Sequence, residues 1–312
     1  MGKVIGPGSL NVDMTGYTPH LPVAGETVKG TVFRMGLGGK GNNQMTAAAR
    51  AGADAVIIAR TGNDSLGGMF SEHFKKEGMT EEYVTVTDTP TGVALIEVET
   101  QNAQNRIIIL PGANGEVCRE DVFAAEKEFA EGGVVLFQYE TGAESLLAAK
   151  ELAKKYGRTV VVNPAPFCEM PDGFYDGIDY ITPNETEAEY LSGVHIGNFD
   201  DARKAAEIIL GMGIGHVIVT MGSHGAYYYD GKEEYRVPCL PVRAVDTTGA
   251  GDAFNGAFAA AISDGMDTLT ALRFATCCSG IEVTREGAAD ASPYRNEIID
   301  AMRTYFGINI AE

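Results

Sequence analysis

The sequence predicts an α/β protein with a mainly parallel central sheet, helices on both faces, and a small β-sheet lid. Three observations carry this reading. Apolar strand-like runs alternate with helical patterns along most of the 312 residues, which implies parallel strands joined by crossover helices. The 39 glycines and the apolar content of 45% suit a large core threaded by tight strand-to-helix turns. Two stretches, 15–35 and 83–110, interrupt the alternation with β-rich sequence and are expected to pair as one projecting sheet.

The length allows roughly two domains, or one large α/β domain with an appendage, and the chain is read as the second, over residues 1–312. A net charge of −19 argues against non-specific nucleic-acid binding and against an anionic membrane surface. Any phosphate must therefore be held by local features. Met1-Gly2-Lys3 leads straight into Val4-Ile5-Gly6 without a signal-peptide pattern, and no run approaches the ~20 apolar residues of a membrane span. A cytoplasmic protein is expected. The five cysteines, an odd number without paired spacing, read as reduced thiols, with Cys277 and Cys278 as small core residues of a helix.

In chain order, a short buried strand at Val4-Ile5 is expected to break at Gly6-Pro7-Gly8. Ser9-Leu10-Asn11-Val12-Asp13 then sets polar groups at a strand end, where α/β proteins bind ligands. Strands follow over 55–60, 134–138, 159–163, 180–182 and 216–221, with helices over 67–77, 144–155, 185–191 and 200–210. Tyr227-Tyr228-Tyr229 and Tyr235-Arg236-Val237 read as a hairpin around Asp230-Gly231. Helices over 250–262, 268–278 and 296–306 close the chain.

The stretch Asp246-Thr247-Thr248-Gly249-Ala250-Gly251-Asp252 opens the first of these last helices. Gly249, Ala250 and Gly251 let the backbone approach an anion, and their N–H groups sit at a helix N-terminus that favours negative charge. A carboxylate beside that hole is repelled by phosphate. Asp252 therefore reads as the base that takes a proton from an attacking hydroxyl, with simple helix capping as the alternative.

Gly36-Leu37-Gly38-Gly39-Lys40-Gly41 fits G-x-G-x-x-G ahead of a helical run, which leaves a dinucleotide-binding enzyme open. Against that, it follows the irregular β patch and not the first buried strand. The other reading lets a polyhydroxylated ligand approach the glycines, with Lys40 and Asn43 as donors. Asn11 and Asp13 can serve sugar hydroxyls or merely form a turn. Asn184 and Glu187 share a helix face and can organise one ion with its waters, or form an N-terminal cap. Thr220-Met221-Gly222-Ser223-His224-Gly225 offers hydroxyls and small residues at a strand end, suited to ATP phosphates or to a plain turn.

In order and spacing, several segments resemble the signatures of the ribokinase family of carbohydrate kinases over nearly the whole chain. They are Gly38-Gly39-Lys40-Gly41-Asn42-Asn43, Asn163-Pro164-Ala165-Pro166, Thr182-Pro183-Asn184-Glu185, the 246–252 stretch and Ser292-Pro293-Tyr294. The resemblance implies ATP-dependent phosphorylation of a primary hydroxyl, foremost that of D-ribose. It implies Asp252 as base, with Gly249, Ala250 and Gly251 holding the phosphoryl group. Asn11, Asp13, Gly39, Lys40, Asn43 and Glu140 would hold the sugar. Asn184, Thr220, Gly222, Ser223, Gly225 and Thr276 would hold ATP, with Glu187 reaching Mg²⁺ through water. Asp246 and the carbonyls of Thr248, Glu282, Arg285 and Gly287 would bind a monovalent cation such as K⁺. A homodimer through the lid is also implied.

Two positions depart from the family pattern. Asn42 stands where alanine is more usual, and Ser292 directly precedes Pro293, where the serine more often occupies the place of Ala291. The alternatives are a kinase for another sugar or a nucleoside (fructose, ketodeoxygluconate, an adenosine-like compound), or a sugar-binding regulator without catalysis. The intact Asp252 and glycine hole argue against the regulator.

Overall fold

The computed structural model describes residues 2–101 and 104–310. The chain begins with β1 (Lys3–Pro7), β2 (Asn11–Thr18), β3 (Val32–Gly38) and α1 (Lys40–Arg50). Next come β4 (Asp54–Gly62), α2 (Ser65–Glu77), β5 (Val84–Thr87), β6 (Gly92–Glu99) and β7 (Asn105–Leu110). Two short helices, α3 (Arg119–Ala124) and α4 (Glu126–Glu131), lead into β8 (Val134–Phe137), α5 (Ala143–Tyr156), β9 (Thr159–Val162) and β10 (Tyr180–Ile181). Then follow α6 (Glu185–Ser192), α7 (Phe199–Leu210), β11 (His216–Thr220), and the hairpin β12 (Ala226–Tyr229) and β13 (Glu234–Val237). The last helices are α8 (Ala250–Ser263), α9 (Thr268–Glu282) and α10 (Arg295–Ala301).

Among the described residues, a nine-stranded sheet runs in the order β13-β12-β11-β10-β9-β8-β1-β4-β5, parallel except for the terminal hairpin. Strand order reverses at β1, whose neighbours are β8 and β4, so the crevice beyond its carboxyl end is a topological switch point. Alternate side chains serve opposite faces. Val4, Ile57 and Leu136 join Met45, Phe258 and Phe274 from α1, α8 and α9, while Ile5, Val56 and Val135 join Leu146 and Ile209 from α5 and α7. Cys277 and Cys278 are buried in the first of these cores.

The second sheet has the order β3-β2-β6-β7, with β2 parallel to β6 and both outer pairs antiparallel. The segments 15–35 and 83–110 thus meet, with one correction. Residues 84–87, grouped by sequence with the small sheet, form β5 and pair in parallel with Ala59, Arg60, Thr61 and Gly62 at the edge of the main sheet. Two further expectations are revised. β1 continues through Gly6 to Pro7, and α3 and α4 were not foreseen because six-residue helices carry too little periodicity.

The helices α1 and α8 cross in backbone contact. A Cβ on Gly256 would fall 2.2 Å from the Gln44 carbonyl oxygen, so only glycine permits this approach. The crossing brings the first turns of both helices to the crevice at the end of β1.

Candidate active site

Gly249 caps α8 in the left-handed region at φ 83°, where a Cβ would lie 2.6 Å from Glu282 Oε1 and 2.8 Å from Ala288 Cβ. Glycine is required there by conformation and by space. Ala250 N donates to the Thr247 carbonyl at a long 3.3 Å. Asp252 is buried in the first turn. Its Oδ2 accepts from Asn43 Nδ2 at 2.9 Å and its Oδ1 from Gln44 Nε2 at 3.0 Å, so two amides grip the carboxylate edge to edge. Its remaining lone pairs are free to accept a hydroxyl proton.

On the sugar side, Glu140 Oε2 accepts from Lys40 N at 3.0 Å and from the Ser9 hydroxyl. This oxygen thus caps the start of α1, where a carboxylate is favoured, and only Glu140 Oε1 is left for a ligand. Burial pulls the Lys40 ammonium down, but the Asp252, Glu140 and Glu187 carboxylates together hold it above its usual value. Asn43 Oδ1 is buried without a partner among the described residues. The Asn11 amide oxygen accepts from Asn114 Nδ2 at 2.8 Å, which fixes its orientation. The Asp13 carboxylate lies against the bare Cα of Gly38. Burial, then the nearby Glu140 and Asp252 charges, push it up to about 7.

Two adjoining cavities meet at Asn184, Thr220, Thr247, Ala250 and Gly251. The smaller, of about 180 Å³, is polar and holds Lys40, Glu187, Gly249 and Asp252. The larger, of about 450 Å³, is walled by Leu240, Val242, Phe254 and Val283 and includes the predicted Gly222, Ser223, Gly225 and Thr276. An apolar slot opening on a polar throat suits a nucleoside base with its phosphates pointing toward Asp252. Gly39 stands just before α1 as its cap residue.

Asn184 and Glu187 form a reciprocal cap, with Glu187 N donating to Asn184 Oδ1 at 2.8 Å and Asn184 N to Glu187 Oε2 at 2.9 Å. Capping occupies one carboxylate oxygen of Glu187, and the residue still lines the polar cavity. Burial raises Glu187 above the usual carboxylate range, against the pull of Asn184 N and Lys40. A hydrated divalent ion suits this spot, because its charge would favour the ionised carboxylate.

Asp246 ties two loops, accepting from Thr248 N at 2.9 Å and from Gly287 N at 3.1 Å. The Glu282 carbonyl accepts from Arg285 N at 2.9 Å, and the Arg285 guanidinium holds the Ala291 carbonyl and Glu297. Ser292 donates to Glu282 Oε2 at 2.9 Å. This bond gives the displaced serine a local function: it serves the buried Glu282 carboxyl, which burial pushes up to about 9 against the Ser292 bond.

The sequence assigns no specific role to Ser9, Asn114, Gln44, Gln138, Asn163 or Asn255, although Ser9 and Asn163 fall within segments named above. Gln44 had a visible signal, since it follows Asn43 directly on a helix whose first turn is committed to the site. Ser9, Asn114, Gln138 and Asn163 are polar residues outside the long helices, with partners far along the chain, while Asn255 lies within α8 and meets Thr182 73 positions away.

Residues 1–295 match the pfkB family of carbohydrate kinases. A ribokinase of Haemophilus influenzae is 37% identical over 296 residues, spanning 95% of this chain and 96% of that protein. A deoxyribokinase of Salmonella typhi is 35% identical over 304 residues, spanning 97% and 98%. The structure of Arabidopsis thaliana ribokinase complexed with ribose and ATP superposes with a TM-score of 0.89 at 29% identity, covering 97% of this chain and 99% of that one. With a glycine-lined helix start, a gripped carboxylate and a two-part cleft along the same length of sequence, this chain belongs to the pfkB family of carbohydrate kinases.

Proposed function

We propose that the protein transfers the γ-phosphoryl group of ATP to the primary hydroxyl of D-ribose, giving ribose 5-phosphate. The observation that carries this is Asp252, held by Asn43 and Gln44 where the glycine loop of the sugar side meets the nucleotide cavity. Asp13, Asn43 and Glu140 Oε1 receive the sugar hydroxyls, and Asp252 accepts the proton of the attacking one. The Gly249 and Gly251 amides and the Lys40 ammonium face the negative charge on the transferred group, and the Ala250 amide joins them when it leaves its long bond to the Thr247 carbonyl. Glu187, at the polar cavity, would hold hydrated magnesium, which would supply charge neutralisation to the ATP phosphates. A monovalent cation at Asp246 and the neighbouring carbonyls would stiffen the turn that aims these amides.

The small sheet is proposed as a lid that excludes water from the transfer. Its exposed apolar residues, among them Phe33 at 66% and Ile108 at 60%, support a homodimer through this face. An ATP-consuming sugar kinase belongs in the cytoplasm, and no described helix is long and apolar enough to cross a membrane.

The second reading is 2-deoxyribose, favoured by the full-length similarity to a deoxyribokinase. ADP formation over a panel of ribose, 2-deoxyribose, fructose and adenosine separates the two. Ribose is expected to give the highest kcat/KM, with phosphate on the primary hydroxyl. No sugar-dependent ADP formation would overturn the reading.

A further inference from the structure

Behind Asp252 lies a chain of buried amides, of which Asn163 borders the polar cavity. Gln44, Gln138 and Asn163 are 0%, 1% and 6% exposed. Gln44 Nε2 donates to Asp252 Oδ1 at 3.0 Å and to Asn163 Oδ1 at 3.1 Å, while Gln44 Oε1 accepts from Gln138 Nε2 at 2.7 Å. All the hydrogen-bonding directions of this amide agree. Flipping it would set its oxygen against two acceptors and its NH₂ against that of Gln138. Asn163 is oriented in turn by its Nδ2 donating to the Thr182 carbonyl at 3.1 Å. The Thr182 hydroxyl donates to Asn255 Oδ1, and Asn255 Nδ2 returns to the Gly251 carbonyl at 2.8 Å. The chain therefore closes on the residue before Asp252.

We propose that Gln44 is a positioning residue for phosphoryl transfer, fixing the plane of the Asp252 carboxylate, and that Gln138 fixes Gln44. This rests on Asp252 being the base, as proposed above. Asn43 alone holds one oxygen of Asp252 and leaves the carboxylate free to pivot about that contact. The Gln44 bond to the other oxygen removes the pivot. A base must meet its proton within hydrogen-bond reach, and small misplacements of reacting groups cost rate steeply. Gln44 is fully buried and makes no contact with substrate, so its effect passes through Asp252.

The competing account is that these amides merely knit strand ends together. A mutant cycle separates the two. Gln44→Met keeps the length of the side chain and removes the donor. It is expected to lower kcat at least about tenfold, while the ribose Kd, measured by calorimetry without ATP, stays within about twofold. In an Asp252→Asn background the same change should cost nothing further, because the group it aims is already lost. Wild-type kcat in Gln44→Met, or an equal loss in both backgrounds, would overturn the proposal. Gln138→Met, which leaves the Asp252 contact in place, keeps the proposal open to refutation if Gln44→Met does not fold. A smaller kcat loss at unchanged ribose Kd is expected there, and an unchanged kcat would overturn the role given to this chain. Wild type and Asp252→Asn in the same assay report on the readings beneath it: no sugar-dependent turnover in the first refutes the kinase reading, and full turnover in the second removes Asp252 as the base on which this proposal rests.

Discussion

Asn43 Nδ2 donates to Asp252 Oδ2 at 2.9 Å across 209 positions of sequence, joining the first turn of α1 to the first turn of α8. This contact also disposes of the dinucleotide reading of the glycine motif. The motif follows β3 of the small sheet, and the amides that open α1 are already engaged. Lys40 N donates to Glu140 and Gly41 N to Ser9 Oγ at 3.3 Å, so they are not presented to a pyrophosphate. The glycines instead let α1 start beside the crevice at the end of β1 with Asn43 turned toward Asp252.

Removing the base should separate chemistry from folding. Asp252→Asn keeps shape and polarity but cannot take the proton, and kcat is expected to fall by about 10² or more. The thermal midpoint should change little. Turnover near wild type at saturating sugar and ATP would assign the proton to another group.

Sugar binding should follow the state of Asp13. Its carboxyl is pushed up to about 7, and in the proposed sugar contact it would accept two hydroxyls only when ionised. Ribose affinity is therefore expected to be full above pH 8 and to weaken as pH falls through 7, by about tenfold at pH 6. In the free protein the sign is opposite. The folded chain holds this proton more tightly than the unfolded one, so the group's contribution to stability is lost as pH rises from the ordinary carboxyl range through about 7. Calorimetric Kd values at several pH values, with Asp13→Asn as the flat control, provide the check. A wild-type profile as flat as the mutant's would remove Asp13 from the sugar contacts.

A cation at Asp246 should show in the rate. In a tetramethylammonium background at fixed ionic strength, added KCl is expected to raise initial velocity to saturation. Asp246→Ala should abolish the rise, because Asp246 joins the Thr248 turn to the Gly287 loop. A flat wild-type response would leave Asp246 as a bridge between loops and nothing more.

The apolar face of the small sheet should report on assembly. By strand register Ile108 and Leu110 of β7 share one face with Met35 and Phe33 of β3, and all four are exposed. Such a patch is unusual on a monomer. Wild type is expected to sediment as a dimer and Ile108→Glu as a folded monomer with weaker ribose binding. A wild-type monomer at micromolar concentration would refute the interface.

The sequence by itself determined the parallel sheet and the order of its helices, and its motifs pointed to several of the residues that line the cleft. These follow from local properties: periodicity sets strand and helix, and glycine marks where backbone must turn tightly or come close. Tertiary structure alone decided which sheet Val84–Thr87 would join, since a short alternating strand fits the edge of either. It decided that one oxygen of Glu140 caps α1 through Lys40 and Ser9, and that Ser292 serves Glu282. It also decided that Gln44 grips Asp252. In each case the polar partner lies beyond the reach of local pattern or has several candidates nearby. Burial selects among them, because a buried donor or acceptor left without a partner costs about 1–3 kcal/mol.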